Sequence, residues 1–337
     1  MYEIETLQGP RVVVIGGGTG SFTLLSGIKR YARDVTALVN MADDGGSTGQ
    51  LRDELGVLPP GDVRQCLVAL SNTPRVRDLF NYRFSEGSLK GHAFGNIFLT
   101  ALEKMTGSFA DAVEEAGKLL HITGSVEPMT LDKIQLVMEF ADGTVRRGEF
   151  ELGHMDFAGQ LRPQVRLEPD AVINPHATEA IRRADIIVIA PGNLYASLAP
   201  ALVVGGVSQA LQSSHAKLVY ICNLVTKPGQ TDGFQVEDYA AEIERFLDGP
   251  RLDYVLYNNR PPSERLLARY AHEGEFPVRW NADTLKAQHY RAKGLALVAG
   301  QIDEAPAPSA DVIAHTRSLI RHDSDRVARE LMRIYFA

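Results

Sequence analysis

The residues best suited to chemistry stand at the start of the chain, where the apolar run Val12-Val13-Val14-Ile15 opens into Gly16-Gly17-Gly18-Thr19-Gly20. Backbone N–H groups of such a loop, backed by the positive end of a following helix, can hold an anion. Leu24, Leu25 and Ile28 supply the apolar face of that helix. A second polar loop, Asn40-Met41-Ala42-Asp43-Asp44-Gly45-Gly46-Ser47-Thr48-Gly49, follows the apolar run Val35–Val39. Glycines let a backbone approach phosphate closely, so two such loops on neighbouring strands predict a nucleotide site.

Familiar nucleotide motifs fit poorly. The dinucleotide fingerprint asks for a third glycine where Ser21 stands, and for an acidic residue closing the second strand, where Asn40 stands. No Lys-Ser/Thr pair follows the glycines, which excludes a P-loop. Gly45-Gly46-Ser47-Thr48-Gly49 spells a nucleophile elbow, but Met41-Ala42-Asp43-Asp44 intervene after the strand, so Ser47 reads as a phosphate or sugar partner.

These groups must be positioned by a sheet. Apolar runs at Val12–Ile15, Val35–Val39, Ile186–Ala190, Leu218–Cys222 and Val255–Tyr257 read as buried parallel strands. Helical patterns cover Asp62–Leu70, His92–Met105, Ser108–Leu119, His176–Arg183, Gln235–Leu247, Ser263–His272 and Asp323–Tyr335. Asp62 and Gln65 have the spacing of a capping box. The alternation predicts an α/β, Rossmann-like, doubly wound and mainly parallel sheet, formed by 10-120 and 171-337. Residues 121-170 break it: Ile134–Phe140 and Thr144–Glu149 flank Ala141-Asp142-Gly143, which reads as a hairpin within a β-rich insertion.

In such a sheet, ligands bind beyond the carboxyl ends of the strands. Four loops meet there: the two glycine loops, Pro191-Gly192-Asn193-Leu194-Tyr195 with Ser197, and Asn223-Leu224-Val225-Thr226. Gly16, Gly17, Gly18, Thr19 and Gly20 face phosphate in this reading, with Asn40, Ser47, Thr48 and Asn96 bonding phosphate or sugar. Gly192, Asn193, Tyr195 and Ser197 line the third loop, and Asn223 with Thr226 the fourth. Asp43, Asp44 and Asp62 can hold a magnesium ion that offsets diphosphate charge. Asp43-Asp44 can equally stabilise a turn and Asp62 cap a helix. His92 and Asn96 share a helix face, with His92 read as an acid-base group or, more simply, a cap or core residue. The nine histidines show no zinc spacing.

Composition narrows the class. With 337 residues and 45% hydrophobic content, the chain can build a large core. No apolar stretch is long enough for a membrane span, and the N-terminal residues lack the order of a secretion signal, so a cytoplasmic location is expected. Two cysteines make no disulfide framework. A net charge of -7 argues against nucleic acid. Glu304-Ala305-Pro306-Ala307-Pro308-Ser309 reads as a surface loop.

The continuation Leu51–Ser71, together with GGGTG at 16–20, ADDGGSTG at 42–49, GHAFGN at 91–96, APGNLY at 190–195 and CNLVTKPGQTDGF at 222–234, resembles the YvcK/CofD-like family on its YvcK, or gluconeogenesis-factor, branch. CofD-like enzymes are magnesium-dependent transferases that move a phospholactyl group to a deazaflavin precursor. The YvcK branch is associated with UDP-sugars, notably UDP-N-acetylglucosamine, and with cell-wall synthesis and cell shape. The resemblance implies a UDP-sugar-binding regulator, with cell-wall synthesis proteins as partners, and a CofD-like transferase as the alternative. Through it Tyr270 would stack on the nucleotide sugar and Arg321 would pair with phosphate. Gln50, Ala93-Phe94, Asn193 and Ala196 depart from the branch pattern, which bears on ligand identity. A homodimer is the default for such a protein.

Overall fold

A computed structural model describes residues 9–299 and 320–337. The loop expected at Glu304–Ser309 lies outside the described residues. Among the described residues there are ten strands, in chain order β1 (Arg11–Gly16), β2 (Asp34–Val39), β3 (Ser125–Pro128), β4 (Gln135–Glu139), β5 (Val145–Arg147), β6 (Gln164–Glu168), β7 (Ile186–Ile189), β8 (Lys217–Ile221), β9 (Tyr254–Asn258) and β10 (Arg291–Leu295).

Seven of them form one sheet in the order β10-β9-β8-β7-β1-β2-β3, every pairing parallel. Chain order reverses between β1 and β7, the switch point at which doubly wound sheets open a crevice. The five strands expected from apolar runs are all present, because a strand covered by helices on both faces needs uninterrupted apolar residues. Val14, Ile15, Leu38, Val39 and Ile186–Ile189 are buried there. Helices Gly18–Ile28 and Ser324–Phe336 pack together, with Val327, Leu331 and Ile334 buried as the apolar stripe required.

β4, β5 and β6 form a separate antiparallel sheet in the order β5-β4-β6, and the turn at Ala141–Gly143 joins β4 to β5 as expected. Ser125–Pro128 departs from the expected boundary: it pairs with β2 at the edge of the large sheet, so the insertion proper starts after it. Helix Glu149–His154 leaves the small sheet and packs on the π-helical turn Leu194–Leu198. Arg162 anchors the insertion from the other side, its guanidinium 3.0 Å from the fully buried Glu242 carboxylate.

Candidate functional site

Strand β1 ends at Gly16 and the next helix begins at Gly18, with Gly17 as an N-cap that offers no side-chain bond. The first-turn N–H groups are therefore left to other partners, and one of them, from Gly18, donates to the Asp62 carboxylate. A side chain at Gly18 would run into Asp62 and Gln65, and one at Gly20 into the Pro191 carbonyl. Close approach, not loop mobility, demands glycine at these two places. Thr19 is exposed and its hydroxyl stands 3.5 Å from Gln65 Oε1.

Three carboxyl groups gather behind this loop. Asp43 accepts from the Gly45 N–H at 3.0 Å and is bonded by Thr48, while burial raises its pKa. Burial and then the nearby Asp43 push Asp62 up to about 7. Glu149, delivered by the insertion, is pushed up to about 9 by burial and by the charges of Asp43, Asp62 and Asp44. Asp44 turns the other way: its oxygens accept from the N–H groups of Glu149 at 3.1 Å and Phe150 at 2.8 Å. It thereby fastens the insertion to the second glycine loop, the capping use of a short acid.

Among the described residues, no three His, Cys, Asp or Glu side chains form a metal cage. The Asp43–Asp62 pair nevertheless fits magnesium, which takes one or two carboxylates and completes its shell with water and phosphate oxygens. The expected capping box of Asp62 and Gln65 is absent, since helix Gly61–Leu70 is capped at Pro60 with no side-chain bond. Asp62 is occupied by the Gly18 N–H instead.

The second glycine loop forms one wall of a cleft of about 490 Å³, whose lining includes Asp43, Ser47, Thr48, Asn96, Arg83 and Lys90. Ser47 Oγ and His92 Nδ1 are 2.9 Å apart. His92 precedes helix Phe94–Thr106, so it does not share a helix face with Asn96. Asn96 is buried, and its Oδ1 accepts from Arg64 Nε at 2.9 Å. Asn40 is also buried, its Oδ1 accepting from the Ala42 N–H at 3.0 Å, so it shapes the loop. Asp43 on one side and Arg64, Arg83 and Lys90 on the other give the lining of this cleft both acidic and basic groups.

Beyond β7, Asn193 Oδ1 accepts from the N–H groups of Tyr195 and Ala196, both at 3.1 Å, starting the π-helical turn. That turn sets Ser197 beside Gly17, its Cβ within 3.4 Å of where a Gly17 side chain would start. Tyr195 corrects the sequence expectation: it is fully buried, its ring edge-on to Phe157 and Phe246, and does not line the crevice. Asn223 reaches Gly192, joining the third and fourth loops. Thr226 bonds Phe276 through both its N–H and its hydroxyl. Tyr270 is a second correction, since it is buried and its hydroxyl accepts from the Ile320 N–H at 3.0 Å, leaving no face for stacking. Arg321 stands on the returning segment, where its carbonyl accepts from the Ala299 N–H at 2.8 Å.

Known proteins share this architecture. A sequence model of 2-phospho-L-lactate transferase CofD matches residues 12–299. The chain belongs to the CofD family. Within it, this CofD-family protein sits on the gluconeogenesis-factor branch: it is 37% identical to the gluconeogenesis factor of Bacillus subtilis, over 96% of this chain and 98% of that one. It is 41% identical to the putative gluconeogenesis factor of Thermotoga maritima, over 96% and 99% respectively. A crystal structure of a Bacillus halodurans protein superposes with a TM-score of 0.87 at 38% identity, covering 96% of this chain and 99% of that chain.

Several residues of this CofD-family site have no local signal in the sequence. Glu149 reaches Asp43 and Asp62 only because the insertion folds back, and Gln65 faces Gly18 from another helix. Arg64, Arg83 and Lys90 read as ordinary surface or helix charges until the fold places them on the cleft. The strand expected over Thr144–Glu149 ends sooner, at Arg147, and Gly148 at φ 96° turns the chain so that Glu149 opens a helix.

Proposed function

We propose that this CofD-family protein binds a nucleotide sugar of the UDP-N-acetylglucosamine kind and serves as a cytoplasmic regulator that reports on cell-wall precursor supply, with effects on cell shape through cell-wall synthesis proteins. The observation carrying this reading is the meeting of two glycine loops with the Asp43–Asp62 pair at the switch point. That combination is suited to a diphosphate and a divalent ion together. Asp43 and Asp62 would hold the magnesium ion, whose charge offsets that of the diphosphate. The Gly16–Gly20 backbone, Ser47, Thr48 and Ser197 would hold the phosphates and sugar. Membership of the gluconeogenesis-factor branch supports a regulatory role over an enzymatic one.

A specific observation keeps the transferase as second reading: the family is described by its phospholactyl transferase, and Glu149 adds a protonatable group beside Asp43 and Asp62. Thermal midpoints of the purified protein with UDP-N-acetylglucosamine, UDP-glucose, GDP and NAD, each with and without magnesium, separate the two, because a ligand of the folded state raises stability. A rise confined to UDP-sugars supports the regulator. A rise with GDP alone moves the assignment to the transferase, which must then consume a phospholactyl donor when a deazaflavin acceptor is added.

A further inference from the structure

The carboxyl edge of the sheet carries a second groove that the site above leaves unused. It measures about 490 Å³ and lies at the end of β9, between Asn258–Asn259 and the segment Phe276–Trp280. Main-chain bonds fix that segment to the loop after β8: the Thr226 N–H donates to the Phe276 carbonyl at 2.7 Å and the Val278 N–H to the Leu224 carbonyl at 3.1 Å. The same loop holds Gly192 through Asn223, so groove and phosphate loops share one framework.

Phe276 and Trp280 keep 52% and 42% of their surface exposed, and the Trp280 ring lies 5.5 Å from that of Tyr257. Two large aromatic side chains beside one groove on a hydrogen-bonded wall form a stacking platform with solvent on one side. At its rim, the Arg279 guanidinium and Asn259 amide make no side-chain bond among the described residues. Donors and an acceptor thus flank the aromatic wall, the arrangement that reads the edge of a planar heterocycle. β9 stands three places from β1 in the sheet order, roughly 14 Å at ordinary strand spacing. A ribose and diphosphate bridge such a gap.

We propose that this groove is the nucleobase subsite, with the base stacked on Trp280 and Phe276 and its polar edge met by Asn259 and Arg279. The inference rests on the nucleotide-sugar reading and adds where the base lies. Trp280 is the single tryptophan of the chain, so its fluorescence reports this groove alone.

The test titrates the full chain with UDP-N-acetylglucosamine, UMP and N-acetylglucosamine 1-phosphate in magnesium buffer, following tryptophan fluorescence and heat together. Both uridine ligands change the Trp280 emission, and the sugar phosphate, which lacks a base, does not. Trp280→Ala weakens UDP-N-acetylglucosamine about 10- to 100-fold, the scale of one base–aromatic stack, and leaves the heat of magnesium pyrophosphate binding unchanged. Saturating heat with unaltered emission, and unaltered affinity in Trp280→Ala, overturns the groove assignment while the nucleotide-sugar reading stands. Absence of heat from the sugar nucleotide with UMP still quenching overturns that reading and keeps the base site. Silence in both signals for every ligand overturns both.

Discussion

Asn223 clasps Gly192: its Nδ2 donates to the Gly192 carbonyl at 2.8 Å and its Oδ1 accepts from the Gly192 N–H at 3.4 Å. The buried Tyr220 hydroxyl donates to the same Oδ1 at 3.3 Å. Loops after β7 and β8 are thereby joined through one side chain. Asn223→Ala removes both bonds and strands the Tyr220 hydroxyl, at a cost of about 1–3 kcal/mol. Chemical denaturation measures that loss, and nucleotide-sugar affinity falls with it as the third loop drifts from the first.

Gly18→Ala tests the close approach of the first loop to Asp62. The added methyl meets the Asp62 carboxylate and the Gln65 amide, which cannot both move aside without giving up the Gly18 N–H bond. Overpacking of this kind costs about 1–3 kcal/mol. The variant is expected to fold, to melt earlier than the parent, and to lose anion binding measured by calorimetry. Retained affinity would mean that the anion sits elsewhere.

The acid cluster gives a pH dependence with a defined sign. Asp62 and Glu149 have folded-state pKa values raised to about 7 and about 9, mainly by burial. Their folded forms hold protons that the unfolded chain releases, so this contribution to stability is complete below the ordinary carboxylate range. It is lost as pH rises through 7 and 9. Magnesium competes with those protons. Its stabilisation, read as a thermal midpoint shift, is therefore larger at pH 8.5 than at pH 6, and Asp62→Asn flattens the difference. An equal shift at both pH values would contradict the metal role of this pair.

His322 acts in the opposite direction. It is buried, its Nε2 donating to the Cys222 carbonyl at 3.0 Å, and burial lowers its pKa to about 4. The unfolded chain protonates it first, so stability is full above about pH 6.5 and is lost as pH falls towards 4, by roughly 3 kcal/mol. Comparing His322→Gln with the parent across pH 7 to 4 isolates this contribution: the parent shows the steeper loss. Parallel curves would refute it.

Much of the fold was legible because parallel strands sheathed by helices are apolar throughout, as Ile186–Ile189 and Val12–Ile15 are. β3 was not, since Ser-Val-Glu-Pro at a sheet edge carries one aliphatic residue and a proline. Glycine loops announce themselves through residue type, and Gly18 and Gly20 are indeed places where a side chain would collide. Polar and aromatic candidates are ambiguous in sequence, because Tyr195 and Tyr270 have the types of ligand contacts and the positions of core residues. Asp62 carries a capping pattern yet serves a loop from another part of the chain. Glu149 needs the long-range return of the insertion, which no local pattern encodes.

The proposed function has the crevice bind a UDP-sugar without consuming it. Calorimetric titration of the purified chain with UDP-N-acetylglucosamine and magnesium, with the ligand recovered and assayed afterwards, tests it most directly. Saturable heat, at least tenfold weaker binding in Asp43→Asn, and intact ligand at the end are expected. No heat at millimolar ligand, or a ligand converted to product, would contradict it.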